Sequence, residues 1–305
     1  MKSPRVLMIF LDGVGIGKKN SSVNPFFSAS LPTLQKLLEG NIPYLRSKKF
    51  NSNGTAVSSL NATLGVEGLP QSGTGQTALF CGVNAPQIIG KHFGPYPYST
   101  LKKVISKKNI FIKLKQKRKK VFYVNAYPPR YFEYMENHQS RRTVTTLAWL
   151  LSGNNLNDHH KLKNGLALSS DITNQRWNSM GFPSMPELTP FNAGKRLVSF
   201  LNHYDFVMYE YFFTDHAGHS QSMEKAKEEL EKIDGLIGGV MEEFDKKRML
   251  LVLTSDHGNI EDLSTKSHTR NPVPLFLVGN EQKRKVFQPV KNITQISSAI
   301  LNILG

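Results

Sequence analysis

Val6-Leu7-Met8-Ile9-Phe10-Leu11-Asp12 is an unbroken apolar run closed by a carboxylate. Near-continuous apolarity over so short a stretch marks a strand buried on both faces, as in a mostly parallel sheet covered by helices. The pattern recurs. Residues 204–213 lead to Asp215 and His219, and Leu250-Leu251-Val252-Leu253 leads to Asp256 and His257, with His268 just beyond. A sheet of this kind gathers strand ends on one edge, where the ligands of open α/β folds bind.

Working outward, strands are expected at 6–11, 121–126, 206–213, 249–254 and 274–278. Helices are expected between them, at 75–81, 99–107, 143–151, 193–202 and 293–304. The clearest helix carries Ala226, Leu230, Ile233, Ile237, Val240 and Phe244, whose alternating steps of four and three put one apolar stripe against the sheet. Alternating strands and helices predict a doubly wound α/β sandwich, one core domain over 1–305. Residues 127–190 break the rhythm with Pro128-Pro129, a polar stretch at 153–160, and Pro183, Pro186 and Pro190. They are expected to form a mostly irregular excursion or small lid within the core.

Composition narrows the class. Hydrophobic residues make up 39% and charged residues 20%, the balance of a soluble globular chain, and no apolar run reaches the roughly 20 residues that span a bilayer. Cys81 is the single cysteine, so no internal disulfide can form; a reducing cytoplasm is the expected location. The formal charge of +16 would draw in phosphate-bearing ligands, from a small phosphorylated substrate to nucleic acid. Its densest run, Lys113 to Lys120, sits where a helix should end before a strand, which favours a solvated helix end over a nucleic-acid patch.

A lone acid after a strand is ordinarily a turn former or helix cap. Three of them, two with adjoining imidazoles, point instead to metal ligands. Asp215 and His219 are four apart, so one helical turn puts both on the same side and His216 elsewhere. Asp256 and His257 are adjacent and could share a site only on a bent strand end, for which Gly258 supplies the freedom. Mixed carboxylate and imidazole ligands suit zinc, manganese or iron better than magnesium, which stays a further candidate. Paired cations about 4 Å apart can clamp both oxygens of an in-line phosphoryl transfer. The hydroxyl to accept the phosphoryl group lies in Pro70-Gln71-Ser72-Gly73-Thr74-Gly75-Gln76, a turn opening an apolar helix whose amino end favours an anion. Ser72 is the preferred nucleophile and Thr74 the alternative.

Taken together, Phe10 to Gly15, the Ser72 turn, Asp215 to His219, Asp256-His257-Gly258-Asn259 and His268 to Pro274 resemble, in type and order, the motifs of the alkaline phosphatase superfamily. The branch they are most similar to holds the cofactor-independent phosphoglycerate mutases and phosphopentomutases. That resemblance implies an α/β sandwich, one divalent cation held by Asp215, His219 and His268, and a second held by Asp12, Ser72, Asp256 and His257. The branch places its nucleophile in Ser/Thr-x-x-Gly-His; here Gln76 stands where the histidine would be. The mutases also carry a large arginine-rich cap, for which only residues 127–190 are available. Hydrolysis of a phosphoserine is the easier fate without a full cap.

A two-metal phosphohydrolase acting through a Ser72 phosphoenzyme is therefore the expected function, with a phosphomutase as the alternative. A basic nucleic-acid-binding or scaffold protein without chemistry is the rival of another class. Lys91, His92 and Arg270 are candidate phosphate contacts by charge and nearness to the motifs. Gly13-Val14-Gly15-Ile16-Gly17 lacks the spacing and following helix of a dinucleotide site. Neither Cys81 nor Ser72 has the Pro and Arg that a sulfatase nucleophile requires.

Overall fold

The computed structural model describes residues 3–305. The apolar run becomes β1 (Arg5–Leu11), buried from Val6 to Leu11. Eight further strands follow: β2 (Phe50–Ser52), β3 (Thr55–Leu60), β4 (Val121–Tyr123), β5 (Asn125–Ala126), β6 (Leu168–Ser169), β7 (Phe206–Tyr211), β8 (Met249–Thr254) and β9 (Val273–Gly279). Seven form a central sheet in the order β2-β3-β9-β8-β1-β7-β4, while β5 and β6 pair separately. Every residue of β7, β8 and β9 is buried, so helices cover both faces, the sandwich expected of strands without a polar side.

Only half of the sheet is parallel. β4, β7, β1 and β8 run parallel in succession. β9 lies antiparallel to β8, β3 antiparallel to β9, and β2 antiparallel to β3. The reversal matters for the site. Because β9 runs backwards, its amino end meets the carboxyl end of β8, with Leu275 opposite Thr254. A bridge between Gly258 and Thr269 extends the pairing past the sheet. His268, which precedes a strand, thus arrives at the edge where Asp12 and Asp256 follow theirs.

The helices sit where the pattern placed them, with shifted ends. Ser72–Cys81 begins three residues before the expected start. The long helix spans Met223–Glu242 and buries Ala226, Leu230, Ile233, Ile237 and Val240 on its stripe; Phe244 lies beyond its end. The Lys113 to Lys120 run does end a helix, Ile110–Gln116, ahead of β4. Two of its ammonium groups are engaged with helix carbonyls and their neighbours, Lys113 Nζ at 3.1 Å from Cys81 O and Lys115 Nζ at 2.7 Å from Ser152 O.

Residues 127–190 are more ordered than their prolines suggested. They hold the helices Pro129–Asn137, Val144–Leu151, His159–Lys163 and Gln175–Ser179. Pro129 sits in a first helical turn, where a missing N–H costs nothing, so the Pro-Pro pair starts a helix rather than excluding one. Val144, Ala148 and Trp149 join the main core, whereas Leu162, Ala167, Trp177 and Met185 bury one another with Ala126 in a separate cluster. No helix among the described residues is long and apolar enough to cross a membrane.

Candidate metal centre

Three strand-end turns build the site. After β1, the Asp12 N–H donates to Tyr211 O at 2.9 Å, and Gly13 turns the chain at φ +70°. A side chain there would be doubly opposed, since a Cβ would stand 2.6 Å from Asp215 Oδ1. The turns are tied to each other. Val14 N–H donates to Ser255 Oγ at 2.9 Å, Ile260 N–H to Gly13 O at 3.0 Å, and Thr214 Oγ1 to Asp12 O at 2.5 Å. Buried Glu261 accepts the Gly15 and Asn259 N–H groups, each at 2.8 Å, together with Thr269 Oγ1 and Asn271 Nδ2. A Cβ on Gly15 would collide with that carboxylate, which accounts for the glycine without any nucleotide.

Held this way, Asp12, Ser72, Asp215, His219, Asp256, His257 and His268 converge. Asp215 Oδ2 lies 3.2 Å from His219 Nε2 across one helical turn, and its Oδ1 lies 3.4 Å from His268 Nε2. His257 Nε2 lies 3.2 Å from Asp12 Oδ1, 3.0 Å from Ser72 Oγ and 3.6 Å from Asp256 Oδ2. Ligand atoms of Asp215, His219 and His268 fall within 4.8 Å of one another, as do those of Asp12, Asp215 and His257. Asp215 thus belongs to both groups, where the resemblance had divided the ligands into separate sets. The rings of His257 and His268 stack at 3.9 Å.

The electrostatics suit a cation site. Asp256 is fully buried, and neither of its carboxylate oxygens has a hydrogen-bond partner. A buried, unpaired carboxylate is among the costliest groups a fold can carry. Burial, and then the charge of Asp12, drives its pKa well above the usual range. Burial alone would lower His257, yet Asp256 and Asp12 push it up to about 10. Asp215 is held well below an ordinary carboxyl, because hydrogen bonds from His219 and His268 outweigh its burial. Carboxylates and imidazoles crowded within reach of one another form a donor set suited to divalent ions. The second ring nitrogens are also oriented, His219 Nδ1 by Lys266 O at 2.7 Å and His268 Nδ1 by Pro70 O at 2.8 Å, as metal-binding imidazoles usually are.

Ser72 is the first residue of its helix and faces a cleft of about 780 Å³ that also reaches Asp12 and Asp215. Thr74 is fully buried, donates its hydroxyl to Gln71 O at 3.1 Å and accepts the Phe93 N–H at 3.2 Å. Gln76 Nε2 donates to Asp12 Oδ2 at 3.1 Å, so the residue in the histidine's place fixes a carboxylate. Behind it, Thr145 Oγ1 reaches Gln76 Oε1 at 3.5 Å and donates to Glu210 Oε1 at 3.0 Å. Glu210, unforeseen in sequence, is fully buried; burial raises its pKa to about 7. Lys91 lies over the rings of Phe93 and Tyr98, and His92 Nε2 is 3.3 Å from Val66 O. Neither they nor Arg270 line the cleft above Ser72, whose guanidinium groups are those of Arg130, Arg141 and Arg176.

A profile of the metalloenzyme superfamily matches residues 4–305. The chain belongs to that superfamily. As a metalloenzyme it falls among metal-dependent phosphoryl-transfer proteins, and the likeness to alkaline phosphatases and cofactor-independent phosphoglycerate mutases drawn from the motifs is borne out. The 2,3-bisphosphoglycerate-independent phosphoglycerate mutase of Antithamnion sp. is 30% identical over 129 residues, covering 39% of this chain and 25% of the relative. Mutase 1 of Methanocaldococcus jannaschii is 34% identical over 99 residues, 32% of this chain and 24% of the relative. The metalloenzyme therefore matches about a quarter of the length of these curated relatives. Among solved structures, the PH0037 protein of Pyrococcus horikoshii superposes at TM-score 0.60 with 14% identity, covering 100% of this chain and 98% of that one. The alkaline phosphatase of the Antarctic bacterium TAB5 superposes at 0.51 with 15% identity, covering 99% of each. Both share the fold of this metalloenzyme.

Proposed function

We propose that this metalloenzyme moves a phosphoryl group from a phosphate ester onto Ser72 and then to an acceptor hydroxyl. The observation that carries the reading is Ser72 Oγ lining a cleft, 3.0 Å from His257 and beside the buried Asp256, whose oxygens lack hydrogen-bond partners. Asp215, His219 and His268 would hold one divalent ion, and Asp12, Asp256, His257 and Ser72 the other, with zinc or manganese better suited than magnesium. Such ions, when bound, supply positive charge to the phosphate oxygens and ease loss of the Ser72 proton. Ser72 Oγ forms the new bond to phosphorus as the bond to the leaving oxygen breaks; the serine proton leaves and the departing oxygen gains one. The amino end of the helix Ser72–Cys81 favours the anion at that position. Thr74, with its hydroxyl engaged in both directions, is the weaker nucleophile.

The acceptor decides between two outcomes. Return of the phosphoryl group to another hydroxyl of the same molecule makes a mutase, and the names of the curated relatives support it. Transfer to water makes a phosphatase, supported by an open cleft and by a segment at 127–190 too short for a full cap. Cytoplasmic residence and a small phosphorylated partner complete the proposal. The test is to strip the protein with a chelator, which should abolish cleavage of an aryl phosphate until Zn²⁺ or Mn²⁺ is restored, and to follow labelled phosphate on the protein. Ser72→Ala should remove the covalent label. Full activity of the stripped protein, or a label that survives Ser72→Ala, would overturn the reading. Isomer against inorganic phosphate, with a sugar phosphate or phosphoglycerate supplied, separates the two outcomes.

A further inference from the structure

We infer that the ester bound here carries a planar ring in its leaving group, packed against the aromatic side chains that line the cleft reached by Ser72; the inference rests on the phosphoryl-transfer reading and names its substrate class. One group of rings comes from 127–134. The Tyr127 hydroxyl is fixed by Tyr123 at 2.8 Å and by Thr146 at 3.2 Å, and the Tyr131 ring packs 4.4 Å from the Tyr127 ring. Tyr134, 40% exposed, belongs to the same group. Phe212 and Phe213 line the same cleft, brought there because β7 ends at Tyr211 and the helix Phe213–Ser220 begins almost at once. Arg176 lies beside them, its guanidinium 3.9 Å from the centre of the Phe213 ring.

Aromatic rings lining a cleft gain little from a small hydroxy acid, whose hydroxyl and carboxylate groups need donors and acceptors instead. A planar ring would cover them, and its face matches the offset and edge-on contacts that aromatic side chains prefer. The space is adequate. About 780 Å³ lies within the range of roughly 300–1,000 Å³ typical of small-molecule sites, well beyond what a three-carbon ester fills. Tyrosine and phenylalanine also lose little freedom on contact, having few rotatable bonds. Nucleoside monophosphates and aryl phosphates share the required chemistry: a phosphate for Ser72 and a ring for the aromatic side chains.

The ring can be weighed separately from turnover by calorimetry of the metal-loaded full chain with phenylphosphonate and methylphosphonate, whose P–C bonds resist transfer. Phenylphosphonate should bind at least tenfold more tightly, and Tyr131→Leu, which keeps apolar bulk without a ring, should reduce that ratio at least threefold. Equal affinities, no binding of either compound, or a ratio untouched by both Tyr131→Leu and Phe212→Leu would overturn the inference. Phenyl phosphate and glycerol phosphate, assayed on the same preparation, keep the two readings apart. Equal kcat/KM for both esters would sustain phosphoryl transfer and refute the ring; failure to cleave either, with phenylphosphonate still preferred, would do the reverse.

Discussion

Gln76 and Glu210 show how a single side chain behind the ligands can govern those in front. Gln76 fixes the Asp12 oxygen that does not face His257, so the carboxylate is oriented before any cation arrives. Gln76→Ala should weaken metal affinity by about tenfold to a hundredfold, the usual cost of losing an outer partner, as read by competition with a chelating dye. Unchanged affinity would show that Asp12 needs no such support. Glu210 has a folded-state pKa of about 7, above its ordinary 4.5, because burial penalises the charged form. The sign follows: below 4.5 the group is neutral in both states and costs nothing, while from 4.5 to 7 the unfolded chain sheds the proton first and stability falls. The loss approaches about 3 kcal/mol at pH 8. Glu210→Gln keeps the shape without the charge, so its melting temperature should gain on the parent between pH 5 and pH 8. A constant difference across that range would refute the shift.

At the scale of elements, the hairpin of β2 and β3 is the clearest case of a signal that was present and unread. Asn53-Gly54 joins the two strands with both residues at positive φ, +47° and +81°, the pair that a tight hairpin turn favours. Gly54→Ala should cost about 1–2 kcal/mol by forcing a Cβ into the left-handed region, measured by chemical denaturation; no loss would mean that the turn relaxes to another form. β1, β7 and β8 were legible because they are buried on both faces and so read as plain apolar runs, whereas the two-residue β6 went unforeseen. β3 is only half-buried, with Thr55, Val57 and Leu60 covered and Ala56, Ser58 and Ser59 less so, and its mixed run hid it. The direction of β9 was equally hidden. Burial leaves the same apolar trace whichever way a strand runs, so His268 was placed by resemblance and not by topology. Asp12, Asp215 and Asp256 stood out because each follows a strand. Glu210 lies inside one, on β7, where sequence offers no reason to separate it from structural polar residues; Gln76, inside a helix, stood out only through the resemblance, which gave no hint of its bond to Asp12.

Over the whole molecule, the ligands come from both ends of the chain, and the sheet makes that unavoidable. β1 lies between β7 and β8, with Val6 opposite both Phe206 and Leu250. A polypeptide growing from its amino end therefore exposes an unbroken apolar strand long before either neighbour exists. Local helices can form during that wait; the centre of the sheet cannot. Such late, distant pairing makes assembly slow and leaves a sticky edge open meanwhile, so the cell's chaperones, more than the final stability, should set how much of this protein reaches its working form.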